Sequence, residues 1–353
     1  MATRRRLAIE RLSFLTSGNF SEEDPSRGLE ETLNLIERGE ELGYSGAWVR
    51  QRHLECGISS AATVLAAATQ RTSRIELGVG VIQMGYENPL RLAEDLATVD
   101  ILSRGRLQVG LSAGKPVLAG VLGDRFLDAG ADAADYSHAR VSRLAHNLAG
   151  EFFGSEDAEI VSAGGRHRPR VRPHAPGLVD RLWYGGGSVR SVEWAARNGL
   201  NLLVGNINVA EQVDSFIETQ RRHIELFRAS STRGEAARIA VGRVIIPLDS
   251  ADRPTRNRYL AFAAERTART LAPQGERRTQ FAPDIVGSAD EILDKLSQDG
   301  VLSEARELRL ELPYNLPLHD YLQIIEDVIG KIAPEIGFHA SGPTELADAF
   351  AWR

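Results

Sequence analysis

The chain is poor in cysteine, and that scarcity is informative. Cys56 is the only one in 353 residues, which excludes an internal disulfide and any cysteine-cluster metal site and is the usage expected of a reducing cytoplasm. Long hydrophobic runs are missing too. No window approaches the about 18 uninterrupted apolar residues that a membrane helix needs. There is no excess of positive charge either: 42 Lys and Arg stand against 48 Asp and Glu, a net charge of −6, so nothing points to nucleic acid. The run Arg4 to Arg6 has no apolar segment of signal-peptide type behind it and reads as a solvated leader.

The composition is that of a globular protein, with 42% hydrophobic and 25% charged residues, enough for a substantial core. The length suits one large domain over residues 1–353, and a (β/α)8 barrel with insertions uses about this many residues. Strand-like and helix-like runs alternate almost end to end, the signature of parallel βαβ units. Expected strands are Leu12–Leu15, Gly46–Val49, Ile75–Ile82, Arg106–Leu111, Arg181–Tyr184, Leu200–Val204, Ile239–Pro247 and Leu308–Leu312. Expected helices include Ser60–Thr69, one starting at Pro89, Ala139–Leu148, Val189–Asn198, Ala210–Arg228, Ala289–Leu296 and Tyr321–Ile332, after a first helix carrying Leu29, Leu33 and Ile36. Thr16–Gly28 reads as a helix-breaking stretch. The Ile75–Ile82 run is apolar on both faces, as a strand covered on both sides must be. Insertions at about 112–140, 150–177 and 250–285 are expected after strands, at the C-terminal face where such barrels keep their sites. The rhythm alone leaves a doubly wound open sheet as an alternative.

Three segments carry candidate chemistry. Gly46–Val49 ends in Arg50, Gln51, Arg52 and His53, a polar cluster at a strand mouth. His53 can exchange a proton near neutral pH and the arginines can hold an anion; a salt-bridged rim is the competing reading. Leu77–Gln83 has two glycines inside a strand, which marks a bulge, the approach of a ligand to the backbone, or close packing between barrel layers. Tyr184–Arg190, with Gly186, Gly187 and the expected N-cap Ser188, can turn N–H groups and a helix dipole toward a phosphate. It matches neither the Gly-x-x-x-x-Gly-Lys-Ser/Thr loop nor the Rossmann glycine spacing; a tight turn is the competing reading.

Read together, these segments resemble the bacterial luciferase-like flavin-dependent monooxygenases. The resemblance runs in order through Gly43-Tyr-Ser-Gly-Ala-Trp48 with His53, Arg71-Thr-Ser-Arg-Ile-Glu-Leu-Gly-Val-Gly80, Asn88 to Leu107, Glu193-Trp-Ala-Ala-Arg-Asn-Gly199 and Val286-Gly-Ser-Ala-Asp-Glu-Ile-Leu293. It implies a (β/α)8 barrel and a non-proline cis peptide at Gly80-Val81, on which a flavin ring rests beside Val79. His53 and Arg52 would be catalytic. Phe14, Ser112 and Gly186 to Arg190 would line the cofactor site, with the phosphate on Gly187, Ser188 and Val189. Arg50, Tyr136 and His138 would face substrate. Where some relatives place a phosphate-binding arginine this chain has Ala113, which shifts that role toward Arg190, and the family's Glu-His-His is here Gln51-Arg52-His53.

The implied activity is that of a two-component monooxygenase, cytoplasmic and homodimeric or of higher order. It would take reduced FMN from a separate flavin reductase, and O2, to oxygenate a small organic substrate, with residues 112–140 and 250–285 as lids. F420-dependent hydride transfer and a non-catalytic flavin-binding subunit are the alternatives. No metal is expected.

Overall fold

The computed structural model describes residues 5–116, 118–125 and 135–340. Eight strands close into a barrel in chain order: β1 Arg11–Thr16, β2 Gly46–Val49, β3 Glu76–Gln83, β4 Leu107–Ser112, β5 Leu182–Gly185, β6 Asn201–Val204, β7 Ile239–Arg243 and β8 Glu307–Glu311. Every barrel pairing is parallel, including the closing one, in which Phe14 lies opposite Leu310. Around it run α1 Pro25–Glu41, α2 Ala61–Thr69, α3 Pro89–Ser103, α4 Ala139–Ala149, α5 Val189–Arg197, α6 Phe216–Ser230, α7 Ala289–Gln298 and α8 Leu318–Asp327. Among the described residues no helix is long and apolar enough to cross a membrane.

Local chemistry sets the boundaries. Asn88 caps α3 by accepting from the N–H groups of Leu90 and Arg91 at 2.9 and 3.2 Å, and Pro89, having no N–H to lose, occupies the first turn. The helix stops where Arg104 and Gly105 take positive φ. α1 begins at Pro25, earlier than expected, because Asp24 Oδ1 accepts from Arg27 N–H at 3.1 Å: the stretch after β1 is polar, but it contains an N-cap followed by a proline. α6 begins only at Phe216, on an Ser215 cap, because Ile207–Val209 is drawn into a short antiparallel pair with Thr279–Phe281. The expected strand Ile239–Pro247 splits at Val244. β7 stays in the barrel while Ile245–Pro247 leaves it to pair with Ile285–Gly287.

That second pair clamps both ends of the third insertion, whose middle holds a helix at Arg253–Thr267. The second insertion is different from expectation. Residues 150–177 follow α4 and precede β5, so chain direction puts them on the N-terminal side of the barrel, as a loop with a small exposed hairpin, Ile160–Ser162 with Gly165–His167. Of the first insertion, residue 117 and residues 126–134 lie outside the described residues.

Side chains alternate across the strands. One set, including Leu12, Phe14, Leu77, Val79, Val109 and Leu308, packs outward in the large core under the helices. The other fills the axis: Leu15, Trp48, Trp183, Leu203 and Ala240 form a separate inner cluster. Below it, at the N-terminal end, Arg238 donates to Glu307 at 2.6 and 2.8 Å and to Glu76 at 3.3 Å, and Trp183 Nε1 donates to Gln108 at 2.8 Å. The floor is thus an ionic plug in which Arg238 is paired with two carboxylates.

Candidate functional site

Glycine makes room inside the barrel. A Cβ on Gly78 would meet the Trp48 indole at 2.1 Å, one on Gly242 would meet Glu311 Oε1 at 2.1 Å, and one on Gly80 would stand 3.0 Å from Arg309 Nη1. The β3 glycines therefore answer first to packing between strands. At the C-terminal end of the axis the packing runs out, leaving a cavity of about 230 Å³ lined by residues that include Leu15, Arg50, Gly80, Val81, Gly186, Arg309 and Glu311. The peptide Gly80-Val81 is cis, and both residues lie on the cavity wall.

The electrostatics of that cavity are unbalanced. Arg50 Nη2 donates to Glu311 at 2.7 Å, while Arg309 approaches the other oxygen of Glu311 only to 3.8 Å. Two guanidiniums thus share one carboxylate. Arg309 lies 5.3 Å from the Trp48 ring centroid and is 4% exposed, yet its Nε and Nη1 have no hydrogen-bond partner. Burial pushes its guanidinium down to about 10, against the pull of Glu311, so it stays charged at neutral pH. Each such buried group left without a partner costs roughly 1–3 kcal/mol.

On the β5 side, Gly186 N–H donates to Leu203 O at 3.0 Å and Gly187 O accepts from Val209 N–H at 2.8 Å, which fixes the loop. Ser188 and Ser191 cap one another at the start of α5. Val189 N–H points where an anion would bind, and there it donates to Glu211 Oε2 at 2.6 Å. The chain's own carboxylate occupies the helix terminus, so a phosphate would have to replace it. Arg190 is exposed at the same terminus, and its charge bears on His138 and Tyr184.

Beyond β2, Arg52 donates to the Tyr314 hydroxyl at 3.1 Å and Arg50 stacks 5.4 Å from the Tyr314 ring centroid. Gln51 is pinned: its Nε2 lies 2.7 Å from Glu87 Oε1 and 3.1 Å from His53 Nε2. An amide nitrogen donates, so His53 Nε2 accepts and the ring proton sits on Nδ1. Burial lowers the His53 pKa, which favours the same neutral ring. His53 packs on Tyr86 at 4.0 Å and opens into a second cavity of about 550 Å³ with Glu87, Asp95 and Arg125.

The model for luciferase-like monooxygenases matches residues 9–303. The chain belongs to the luciferase-like monooxygenase family. Limonene 1,2-monooxygenase of Rhodococcus erythropolis is 34% identical over 106 residues, 29% of this chain and 27% of that protein, so the matched stretch spans about a quarter of that relative. The fold of apo-MsnO8 is similar with a TM-score of 0.68, 21% identity and coverage of 94% of this chain and 99% of that one. The oxygenating constituent of 3,6-diketocamphane monooxygenase from Pseudomonas putida, solved with FMN, gives 0.63 at 12% identity, covering 95% and 99%. The F420-dependent tetrahydromethanopterin reductase of Methanopyrus kandleri gives 0.62 at 15%, covering 93% and 100%.

Within this luciferase-like barrel, Arg50, Gly80, Val81, Gly186 and Gly187 meet at one cavity, with Ser188 and Val189 just beyond. Three expected lining residues, Phe14, Val79 and Ser112, do not. Phe14 lies on the helix side, edge-on to Tyr44 at 5.3 Å and filling the gap over Gly39, and Val79 is likewise in the outer core. The period of two along a strand gives the axis to their neighbours Leu15 and Gly80. Ser112 ends β4 opposite Gln83, and His53 and Arg52 lie away from the axial cavity's lining. His138 stacks on Trp194 at 4.3 Å and lies 5.5 Å from Tyr184, whose hydroxyl accepts from Ala113 N–H at 3.0 Å. Tyr136 O accepts from Gly114 N–H at 3.0 Å, so this pair is held against the end of β4 beside α5. Arg106, in the most family-specific stretch, is architectural: it donates to Ser103, Thr72 and Ile75 beneath β3 and β4.

Sequence reasoning missed Arg309, Glu311, Tyr314 and Glu211. A signal existed for the first two: Glu307, Arg309 and Glu311 alternate with Leu308 and Leu310, and charges with period two in a barrel strand must face the axis.

Proposed function

We propose that this chain is the oxygenating component of a two-component monooxygenase, taking reduced FMN from a separate flavin reductase and O2 to oxygenate a small organic substrate. The observation that carries the reading is the axial cavity, where a glycine-walled shelf at Gly80-Val81 meets a buried guanidinium with orphaned donors and a capped helix start. That combination fits a flat ring with a polar edge and a phosphate tail. The flavin would supply the oxygen-activating chemistry. The protein's part is to hold it, exclude water and move protons.

In this reading Gly80 and Val81 support the ring, Leu15, Trp48 and Trp183 close the axis below it, and Gly186 to Arg190 receive the phosphate as Glu211 swings away. His53, neutral with its ring proton on Nδ1, exchanges that proton at the rim, while Gln51 donates to Nε2 and fixes the tautomer. Arg50, Arg52 and Tyr314 form the substrate-side wall, with Tyr136 and His138 on the opposite side. The segment 250–285, clamped where Ile245–Pro247 pairs with Ile285–Gly287, serves as a cover. Hydride transfer with F420 is the second reading, favoured by the fold shared with the Methanopyrus reductase; a flavin-binding subunit without catalysis is the third. Family resemblance also supports a cytoplasmic homodimer or larger homo-oligomer.

Titration with reduced FMN and reduced F420, followed by oxygen uptake, separates these. FMN binding with oxygen consumption supports the proposal, F420 binding without it supports the second reading, and binding of FMN without oxygen use supports the third.

A further inference from the structure

Arg309 is a buried guanidinium at the mouth of the barrel axis that lines the axial cavity and has two donors without a partner. Its Nη1 borders Gly80, where any side chain would obstruct it, and both Nε and Nη1 lack partners while the residue is almost wholly buried. Arg50 pairs with Glu311 through Nη2 at 2.7 Å, its own Nε being left without a partner, so the cluster of Arg50, Arg309 and Glu311 carries one uncompensated positive charge. A folded chain keeps a charge in that state chiefly where a ligand completes it. The complement is a planar acceptor edge bearing one negative charge.

We propose that Arg309 is a redox-sensing positioning residue that binds the anionic pyrimidine edge of reduced flavin and so makes the site prefer reduced over oxidised FMN. The inference rests on the flavin reading above. Oxidised flavin is neutral at that edge and keeps only ordinary hydrogen bonding, whereas the reduced ring is an anion near neutral pH and gains a charge-assisted bond from the Arg309 guanidinium. Selectivity of this kind lets the oxygenating component capture flavin in the state a reductase delivers and release it once spent.

The test is the dissociation constant of FMN in both redox states, measured anaerobically with the full chain, together with the midpoint potential of the bound flavin. Wild type is expected to bind reduced FMN about 10- to 100-fold more tightly than oxidised FMN, corresponding to a potential raised by about 30 mV per tenfold. Arg309→Met should remove most of that ratio while leaving oxidised FMN affinity within about threefold, and Arg309→Lys should restore part of it. Glu311→Gln, which removes the only compensating charge, should raise the ratio; it moves the readout the opposite way and does not depend on Arg309→Met folding. An unchanged ratio in Arg309→Met, or a lowered one in Glu311→Gln, overturns the inference with the flavin reading intact. Failure of wild type to bind FMN in either state overturns both.

Discussion

Replacing Gly78 by alanine tests whether the β3 glycines serve packing or ligand approach. The new Cβ would stand 2.1 to 2.5 Å from three ring atoms of Trp48, so the indole has to move. It has little freedom: it meets Trp183 edge-on at 5.7 Å, and Trp183 is tethered to Gln108. Overpacking of this kind costs about 2 kcal/mol (range about 1–3), against which alanine recovers about 0.5–1 kcal/mol of the chain entropy lost at glycine, for a net loss centred on about 1 kcal/mol. With about 2–4 °C per kcal/mol for large domains, the expected fall in Tm is about 2–4 °C. The thermal melt should be read with tryptophan fluorescence, because Trp48 and Trp183 share the disturbed space. Adding Trp48→Leu to Gly78→Ala should cost less than the sum of the single changes, since the smaller side chain accepts the methyl. An unchanged Tm in Gly78→Ala, or strict additivity in the pair, would refute the packing account.

Three further outcomes are expected. His53→Ala should keep FMN binding but lose most product formation; unchanged turnover would remove His53 from the chemistry. Glu211→Gln should tighten FMN, because the phosphate no longer displaces a carboxylate from the α5 terminus, an effect of about 0.3–1 kcal/mol or up to about fivefold by calorimetry; weaker binding would mean that Glu211 helps rather than competes. Burial lowers the pKa of His53, His138, His174 and His223 below the ordinary value. Groups depressed in the fold stabilise it above their unfolded pKa, about 6.5, and lose that contribution as pH falls through the folded value. Glu87, raised by burial against its bond to Gln51, acts in the opposite sense. Four groups outweigh one, so urea midpoints should fall from pH 7 to 5; a flat or rising profile would contradict this balance.

The barrel was legible because its signal is repetitive. Eight apolar runs separated by amphipathic helices leave few alternatives, and strand bounds fell within a residue or two except at β7, whose run continues apolar through the point where the chain leaves the barrel. The Gly80-Val81 geometry and the Ser188 cap were legible from resemblance and from N-cap chemistry. What failed was direction. Resemblance transfers a position along a strand, but a shift of one residue turns a side chain from the axis to the helices, and Phe14 and Val79 were each one residue from the inward neighbour. The Glu211 contact was illegible for a different reason: it joins residues 22 apart through a loop whose course no periodicity encodes.

Two arginines on one axis are held in opposite electrostatic states. Arg238, at the floor, is half-buried between two carboxylates and donates to both; these raise its pKa against desolvation. Arg309, at the mouth, has a single carboxylate at 3.8 Å, already taken by Arg50, and its pKa is driven down. The residue type and the barrel are the same, and both side chains sit beside a tryptophan ring. The difference is that the fold completes the lower charge with its own groups and leaves the upper one incomplete. Stability alone would favour a second carboxylate or an apolar residue at the mouth. An unfinished charge beside a glycine-walled shelf therefore marks the end of the axis at which this barrel expects to be completed from outside.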